Sequence, residues 1–222
     1  MKLLIENWRK FLTEDESQHF PWMDELKANP RIFINSQLDK RNRIGSGAFR
    51  FTVSPEGDPD YVIKFSKFRD NHFMNKVEKL LGEEYPDVFP RTYAAAEDYE
   101  WIVADKVVPL HRGNQELLEE AMVATFPELY EYASSLEIAS GQDPMTIFGL
   151  IMDSIEAKNE IYDFATQNTD WFNQLLKSIH RYGVDPDDIA EGNIGLDTKT
   201  HTLKVLDGSV FSKFGGEKDW NS

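Results

Sequence analysis

Cysteine is absent from the 222 residues. Disulfides, thiolate zinc sites and cysteine nucleophiles are therefore excluded. No apolar run approaches the ~18 residues of a membrane-spanning helix. Leu3-Leu4-Ile5, ahead of Glu6, is too short for a secretory core. The expected compartment is the cytoplasm, with no membrane partner. Positive charge is scarce: 24 Lys and Arg stand against 39 Asp and Glu, a net charge of −15. Such a surface repels phosphate backbones, so nucleic acid is not an expected partner, although a local basic cleft for a nucleotide remains open. Internal repeats and low-complexity tracts are also missing. What is present is core material. Hydrophobic residues make up 41% and aromatics 13%, which excludes wholesale disorder. The length suits one domain of two lobes or two very small domains.

Residues 1–30 read as a helical leader or extension. Leu3, Leu4, Trp8, Phe11 and Leu12 fall on one helical face. A polar break follows at Thr13 to Ser17, and Pro21 and Pro30 flank a short helical piece, Trp22 to Ala28. From 31 to 108 the text turns β-rich. Strands are expected at Arg31–Ile34, after Asn42, at Phe49–Val53 and at Tyr61–Phe65, with a turn at Ser54–Pro59. A helix is expected from about Asp70 to Glu84, with Phe73, Val77, Leu80 and Leu81 on one face. Strands at Arg91–Ala96 and Glu100–Val108 follow. From 109 onward the pattern is mostly helical. Helices are expected at 114–126, 127–136, 145–153, 155–166 and 170–182, and Gly183 sits where a C-terminal cap belongs. A small hairpin closes the pattern, Ile194–Leu196 with Thr202–Leu206. The fold class is α+β.

Several residues could carry chemistry, and each also has an ordinary structural reading. Gly45-Ser46-Gly47 lies between strands, where backbone N–H groups can approach phosphate oxygens, although glycines also cluster in plain hairpins. Lys64 lies mid-strand between Ile63 and Phe65, either facing solvent or pairing with phosphates. Glu78, on the following helix, is a solvated charge or a partner for Lys64, and Glu83 and Glu84 compete for that role. Asp188 and Asn193 are spaced Asp-x-x-x-x-Asn, and Asp207 follows an apolar strand and precedes Gly208. An aspartate there can simply form a turn. An asparagine and an aspartate joined by a hairpin also supply the hard oxygen ligands that Mg²⁺ takes alongside phosphate and water.

Taken in order, the glycine turn, the strand Val62-Ile63-Lys64, a helical glutamate, Asp-x-x-x-x-Asn and Asp-Gly after a hairpin reproduce the order of the protein-kinase signature set. The sequence resembles the protein-kinase-like superfamily over roughly residues 42–110 and 170–212. The resemblance implies a two-lobe fold, with a β-rich N-lobe containing one helix at 31–108 and a truncated, mostly helical C-lobe at 109–222. It also implies ATP and Mg²⁺ as cofactors. Gly45, Ser46 and Gly47 would cover the phosphates, and Lys64, paired with Glu78, would hold them. Ala104, Asp105 and Lys106 would lie at the adenine-contacting hinge. Asp188 would orient or deprotonate the acceptor hydroxyl, and Asn193 and Asp207 would bind the metal. The implied chemistry is transfer of a γ-phosphoryl group to a small-molecule or protein acceptor, catalysed by positioning and charge neutralisation.

The departures bear on which member of the superfamily this resembles. Arg50 replaces the third glycine of the loop, Pro186-Asp187 precede Asp188 in place of His-Arg, and Gly208 stands where phenylalanine is usual. Fifteen residues follow Asp207, with no Ala-Pro-Glu motif. A minimal phosphotransferase fits better than a regulated protein kinase. An inactive pseudokinase or nucleotide-binding module is the rival, and an unrelated acidic α+β interaction protein is the third reading. The opening Met1-Lys2, amphipathic stretch and Leu12-Thr13-Glu14 also resemble the leaders of tailed-bacteriophage prohead proteins, which are cut after Leu/Ile-x-Glu. That would place the cut after Glu14 and the protein in a host cytoplasm or a virion.

Overall fold

A computed structural model describes residues 20–39, 42–46, 49–189 and 193–206. The leader cut site after Glu14, Gly47 and Asp207 lie outside the described residues. The architecture is mixed α+β. Its elements are α1 (Met23–Ala28), α2 (Pro30–Asp39), β1 (Arg43–Ser46), β2 (Arg50–Val53), β3 (Tyr61–Ser66), α3 (His72–Glu84), β4 (Thr92–Ala95), β5 (Trp101–Asp105), β6 (Val107–Pro109), α4 (Gln115–Thr125), α5 (Pro127–Ser135), α6 (Pro144–Ala157), α7 (Glu160–Asn168), α8 (Asp170–Tyr182), β7 (Ile194–Asp197) and β8 (Thr202–Val205). One sheet has five strands in the order β1-β2-β3-β5-β4, and a second has three in the order β6-β7-β8. The chain forms two compact units, one within Met1–His72 and Tyr93–Ala104, the other within Phe73–Thr92 and Asp105–Ser222.

The first unit holds the five-stranded sheet, apart from the end residues Thr92 and Asp105. Its core packs α1 and α2 on one sheet face. Phe20, Trp22, Leu26, Phe33 and Ile34 meet Val53, Ile63, Phe65, Trp101 and Val103. The Phe20 ring stacks on Trp22 at 4.9 Å and meets Tyr61 edge-on at 4.9 Å. Trp22 Nε1 donates to the Asp58 carboxylate at 2.6 Å, tying the helices to the turn between β2 and β3. In that turn Gly57 has φ +88°, a backbone conformation that favours glycine.

The strand expected at Arg31–Ile34 is instead the first turn and a half of α2. Its Ile-Phe-Ile run has strand propensity. However, Phe33 and Ile34 are both buried while Ile32 is 66% exposed, which strand alternation forbids. A helix places Phe33, Ile34 and Gln37 on one stripe, and Pro30 fits its first position. Tertiary packing overrides local preference here.

The second unit is built on α3 to α8 and the three-stranded sheet, around Leu118, Met122, Phe148, Ile151, Phe172 and Leu175. Two helical expectations are corrected. The break placed at residue 154 falls instead at Lys158-Asn159. Lys158 has φ 50°, and the Asn159 side chain accepts from the Ile161 and Tyr162 amides, capping α7. In α3, Phe73 is 50% exposed, while Asn75, Val77, Glu78, Leu81 and Gly82 are buried. Gly82 is on that face because a Cβ there would stand 2.3 Å from the Pro90 carbonyl oxygen. Gly195 is under a similar constraint, as its Cβ would lie 2.6 Å from Val107 Cγ1 and 2.7 Å from the Val108 carbonyl oxygen.

The end of α3 is joined to α8. Tyr182 donates its hydroxyl to Glu84 at 2.6 Å, and Arg181 pairs with the same carboxylate at 3.1 Å. Burial, then the hydrogen bond to Glu84 and its charge, push the Tyr182 phenol well above its ordinary value of 10.0, against a smaller opposing pull from Arg181. Between the ordinary and the raised value, the folded chain holds a proton that the unfolded chain has lost. Stability contributed by Tyr182 is therefore full below about pH 10 and lost above it. Thermal unfolding from pH 8 to 11 should show wild type losing its advantage over Tyr182→Phe above pH 10. A constant gap between the two would refute this linkage.

Candidate functional site

In the first unit, strand register organises the residues singled out in the sequence. Gly45 pairs with Thr52, and Thr52 pairs with Lys64. Residues opposite one another across a sheet share a face. Gly45, Thr52 and Lys64 therefore form one row, spanning about 10 Å at ~4.8 Å per strand. A Cβ built on Gly45 would lie 4.0 Å from Thr52 Cβ, in keeping with a shared face. Phe51 and Phe65, paired with each other one residue along, point to the reverse face. Lys64 is only 9% exposed, so the reading of it as a solvent-face lysine does not hold. A lysine is rarely buried unless its charge is matched. The Phe49 carbonyl accepts from the Lys67 amide at 2.9 Å, closing the segment after β1. Gly47 and the side chain of Ser46 lie outside the described residues.

The remaining candidates, apart from Ala104, belong to the second unit. Glu78 on α3 is 6% exposed, so it is not a solvated helix charge. Its two competitors are committed elsewhere, Glu83 to Lys79 one turn back and Glu84 to Tyr182 and Arg181. Arg181, with His180, ends α8 rather than entering the loop before Asp188. The chain passes from the first unit to the second between Ala104 and Asp105, within the segment expected to contact adenine. The Asp105 amide donates to the Arg91 carbonyl at 3.0 Å, and its carboxylate accepts from Lys199 Nζ at 2.7 Å. Lys106, between β5 and β6, is half-buried.

Asp188 closes a 3-10 turn, Pro186–Asp188, whose Asp185 carboxylate accepts from the Asp187 amide. The Asp188 side chain lies outside the described residues. The hairpin beyond it pairs Ile194 with Val205 and Asp197 with Thr202. At its open end the Leu206 amide donates to the Asn193 carbonyl at 2.8 Å. Asn193 thus stands opposite the residue that precedes Asp207. An asparagine amide oxygen is one of the hard ligands Mg²⁺ takes, alongside carboxylate, phosphate and water. Among the described residues no group of three or more His, Cys, Asp or Glu could hold a metal.

Lys204 was missed in the sequence. It is 6% exposed on β8, and its Nζ donates to the carbonyls of Pro86 at 2.6 Å and Asp87 at 3.0 Å. Burial pushes its ammonium below the ordinary value, while the Asp197, Asp87 and Asp105 carboxylates pull it back up. Together with the Val205 amide on the Val88 carbonyl, it bolts the hairpin to the segment after α3. A lysine between the apolar Leu203 and Val205 was the available signal.

A cleft of about 740 Å³ lies between α6 and the Asp185–Ile189 turn. Its floor is apolar, with Phe148, Met152 and Ile189 buried. Asp153, Glu156, Asp185 and Asp187 line it, and among the described residues no basic side chain does. Asp185 is occupied in capping the turn, but Asp153, Glu156 and Asp187 make no side-chain hydrogen bond or ion pair among the described residues. The sequence offered only the three-residue spacing of Asp153 and Glu156, which any solvated helix face could show.

No family model and no curated protein matches this chain. Solved structures do. The GDP and kanamycin complex of APH(2")-IIia is similar at 15% identity and TM-score 0.36, over 82% of this chain and 72% of that one. The streptomycin–ATP complex of APH(2")-IIa is similar at 12% identity and TM-score 0.36, over 79% and 70%. Choline kinase LicA from Streptococcus pneumoniae is similar at 12% identity and TM-score 0.33, over 81% and 68%.

Proposed function

We propose that this chain is an ATP- and Mg²⁺-dependent phosphotransferase whose acceptor is a hydroxyl-bearing organic cation. The observation that carries the reading is the row Gly45–Thr52–Lys64, which sets a nearly buried lysine on the same sheet face as Gly45. An ammonium and backbone N–H groups on one face suit the β- and γ-phosphates. Residues 31–108 would serve the nucleotide phosphates, with Glu78 as the partner of Lys64 and Ala104 to Lys106 at the base. Residues 109–222 would serve metal and acceptor. Asn193 and Asp207 would hold Mg²⁺, which neutralises phosphate charge when bound. Asp188 would take the proton of the acceptor hydroxyl. That oxygen forms a bond to the γ-phosphorus, the bond from the γ-phosphorus to the bridging oxygen breaks, and ADP leaves with the electron pair.

The cleft supports the acceptor class. It adjoins the turn that carries Asp188, and the carboxylates of Asp153, Glu156 and Asp187, unpaired among the described residues, complement over an apolar floor a cation with an apolar body. The small molecules named for the similar structures, kanamycin, streptomycin and choline, belong to those proteins.

The test is ADP release from Mg-ATP with amino sugars, amino alcohols and their neutral analogues. Lys64→Met should lower kcat by at least about a hundredfold while circular dichroism stays unchanged. Asp153→Asn with Glu156→Gln should raise KM for amines about tenfold and leave KM for ATP alone. Turnover that is indifferent to Lys64→Met would sink the reading. A second reading, an inactive nucleotide-binding module, is favoured by Pro186-Asp187 in place of His-Arg before Asp188. Tight Mg-ATP binding with no ADP formed from any acceptor would select it.

A further inference from the structure

The reverse face of the first unit's sheet gathers what the whole chain is short of, positive charge. Successive strand residues point to opposite faces. Thr52 and Lys64 take one face, so Phe51 and Phe65 take the other. On that reverse face Arg31, Ile34 and Asn35 of α2, together with Lys67, surround the two phenylalanines and leave a cavity of about 320 Å³. Among the described residues no carboxylate lines it, in a chain with 39 acidic and 24 basic residues. Two cations lie over the Phe51 ring, Lys67 Nζ at 4.5 Å and Arg43 Cζ at 5.7 Å from its centre. The ring's quadrupole holds both there. Arg31 Nε reaches Glu100 at 3.4 Å, and its side chain is otherwise 81% exposed. A guanidinium has five donors, so one contact leaves others for a ligand. Ile34 and Phe65, both buried, supply an apolar floor.

We propose that this cavity binds a small organic anion with a flat apolar body, an aryl phosphate or aryl carboxylate. The cations select the charge, and Phe51 with Phe65 select the ring. The volume lies at the lower end of ligand pockets, about 300–1,000 Å³, which admits one ring and one anionic group. The site is separate from the Lys64 row and does not depend on the phosphotransfer reading.

Phenyl phosphate and benzoate are the probes, with inorganic phosphate and benzyl alcohol as controls, followed by titration calorimetry or NMR. At least one anionic aryl probe should bind saturably, about tenfold or more tighter than either control. Lys67→Met and Arg31→Met should each weaken it by roughly tenfold, the size expected for losing one charge-assisted contact. Lys64→Met, on the opposite face, should leave it unchanged. No saturable binding of either aryl anion overturns the proposal. So does binding that survives Lys67→Met and Arg31→Met but is lost in Lys64→Met, because the probe would then sit on the other face. If Lys67→Met fails to fold, Arg31→Met alone decides, since that side chain is mostly in solvent.

Discussion

Saturating Mg-ATP should raise the unfolding midpoint of the wild-type chain by roughly 5–10 °C, and Asp207→Ala should lose most of that rise. A ligand at about 100 times its Kd adds about 2.7 kcal/mol to the folded state. For a chain of 222 residues each kcal/mol moves the midpoint by about 2–4 °C. The metal is the sensitive part. Asn193 and Asp207 would contribute two of its oxygens, and the hairpin pairs the Leu206 amide, one residue before Asp207, with the Asn193 carbonyl. Removing the only carboxylate of that pair leaves an uncharged amide as sole protein ligand. Mg²⁺ binds through one or two carboxylates with substrate phosphates, so the loss should be large. ATP with a chelator should give a small shift, equal in both proteins. A Mg-ATP shift that persists undiminished in Asp207→Ala would remove Asp207 from the metal site. No shift with any nucleotide would remove the phosphotransfer chemistry altogether.

Phe33→Ala should cost about 3–5 kcal/mol, the range for emptying a buried aromatic site. Phe33 is 2% exposed and stacks against Trp22 at 5.9 Å, inside the core shared by α1, α2 and the sheet. Ile32→Ala, one residue away and two-thirds exposed, should stay within about 0.5 kcal/mol of wild type. Urea unfolding of the two variants checks both numbers. The contrast is decisive because domain stabilities run only to about 5–15 kcal/mol. Equal costs at the two positions would mean that α2 does not pack as described, and that residues 20–39 are an appendage rather than part of the first unit.

Much of the element order was legible in the residues. Tyr61 to Phe65 reads as a strand because β-branched and aromatic residues cluster between turn formers, and β3 occupies Tyr61–Ser66. Asp170 to Tyr182 reads as a helix because its apolar residues recur at helical spacing, and α8 spans that stretch with Gly183 in the left-handed region. Arg31 to Ile34 misled because four residues of strand propensity cannot show that their neighbours supply a helical face. The break between α6 and α7 was misplaced because Asn159 acts as a cap only when two amides downstream turn toward it.

For the site, the sequence by itself determined the inventory and its order: the glycine turn, Lys64, Glu78, Asp188, Asn193, Asp207, and a chain without thiols. Local chemistry and spacing are written in the residues, so these needed no coordinates. Only the tertiary structure decided which charges leave water. Lys64, Glu78 and Lys204 each look like solvated charges in one dimension, and each is nearly buried in three. It also decided that Gly45 and Lys64 share a face, because register is a property of paired strands rather than of either strand alone. The acidic cleft and the cationic cavity are of the same kind. Their walls come from segments far apart in the chain, α6 with the Asp185–Ile189 turn and α2 with β2 and β3. No spacing along one strand of text can record such a meeting, because burial and cavity shape are set by what packs against a residue.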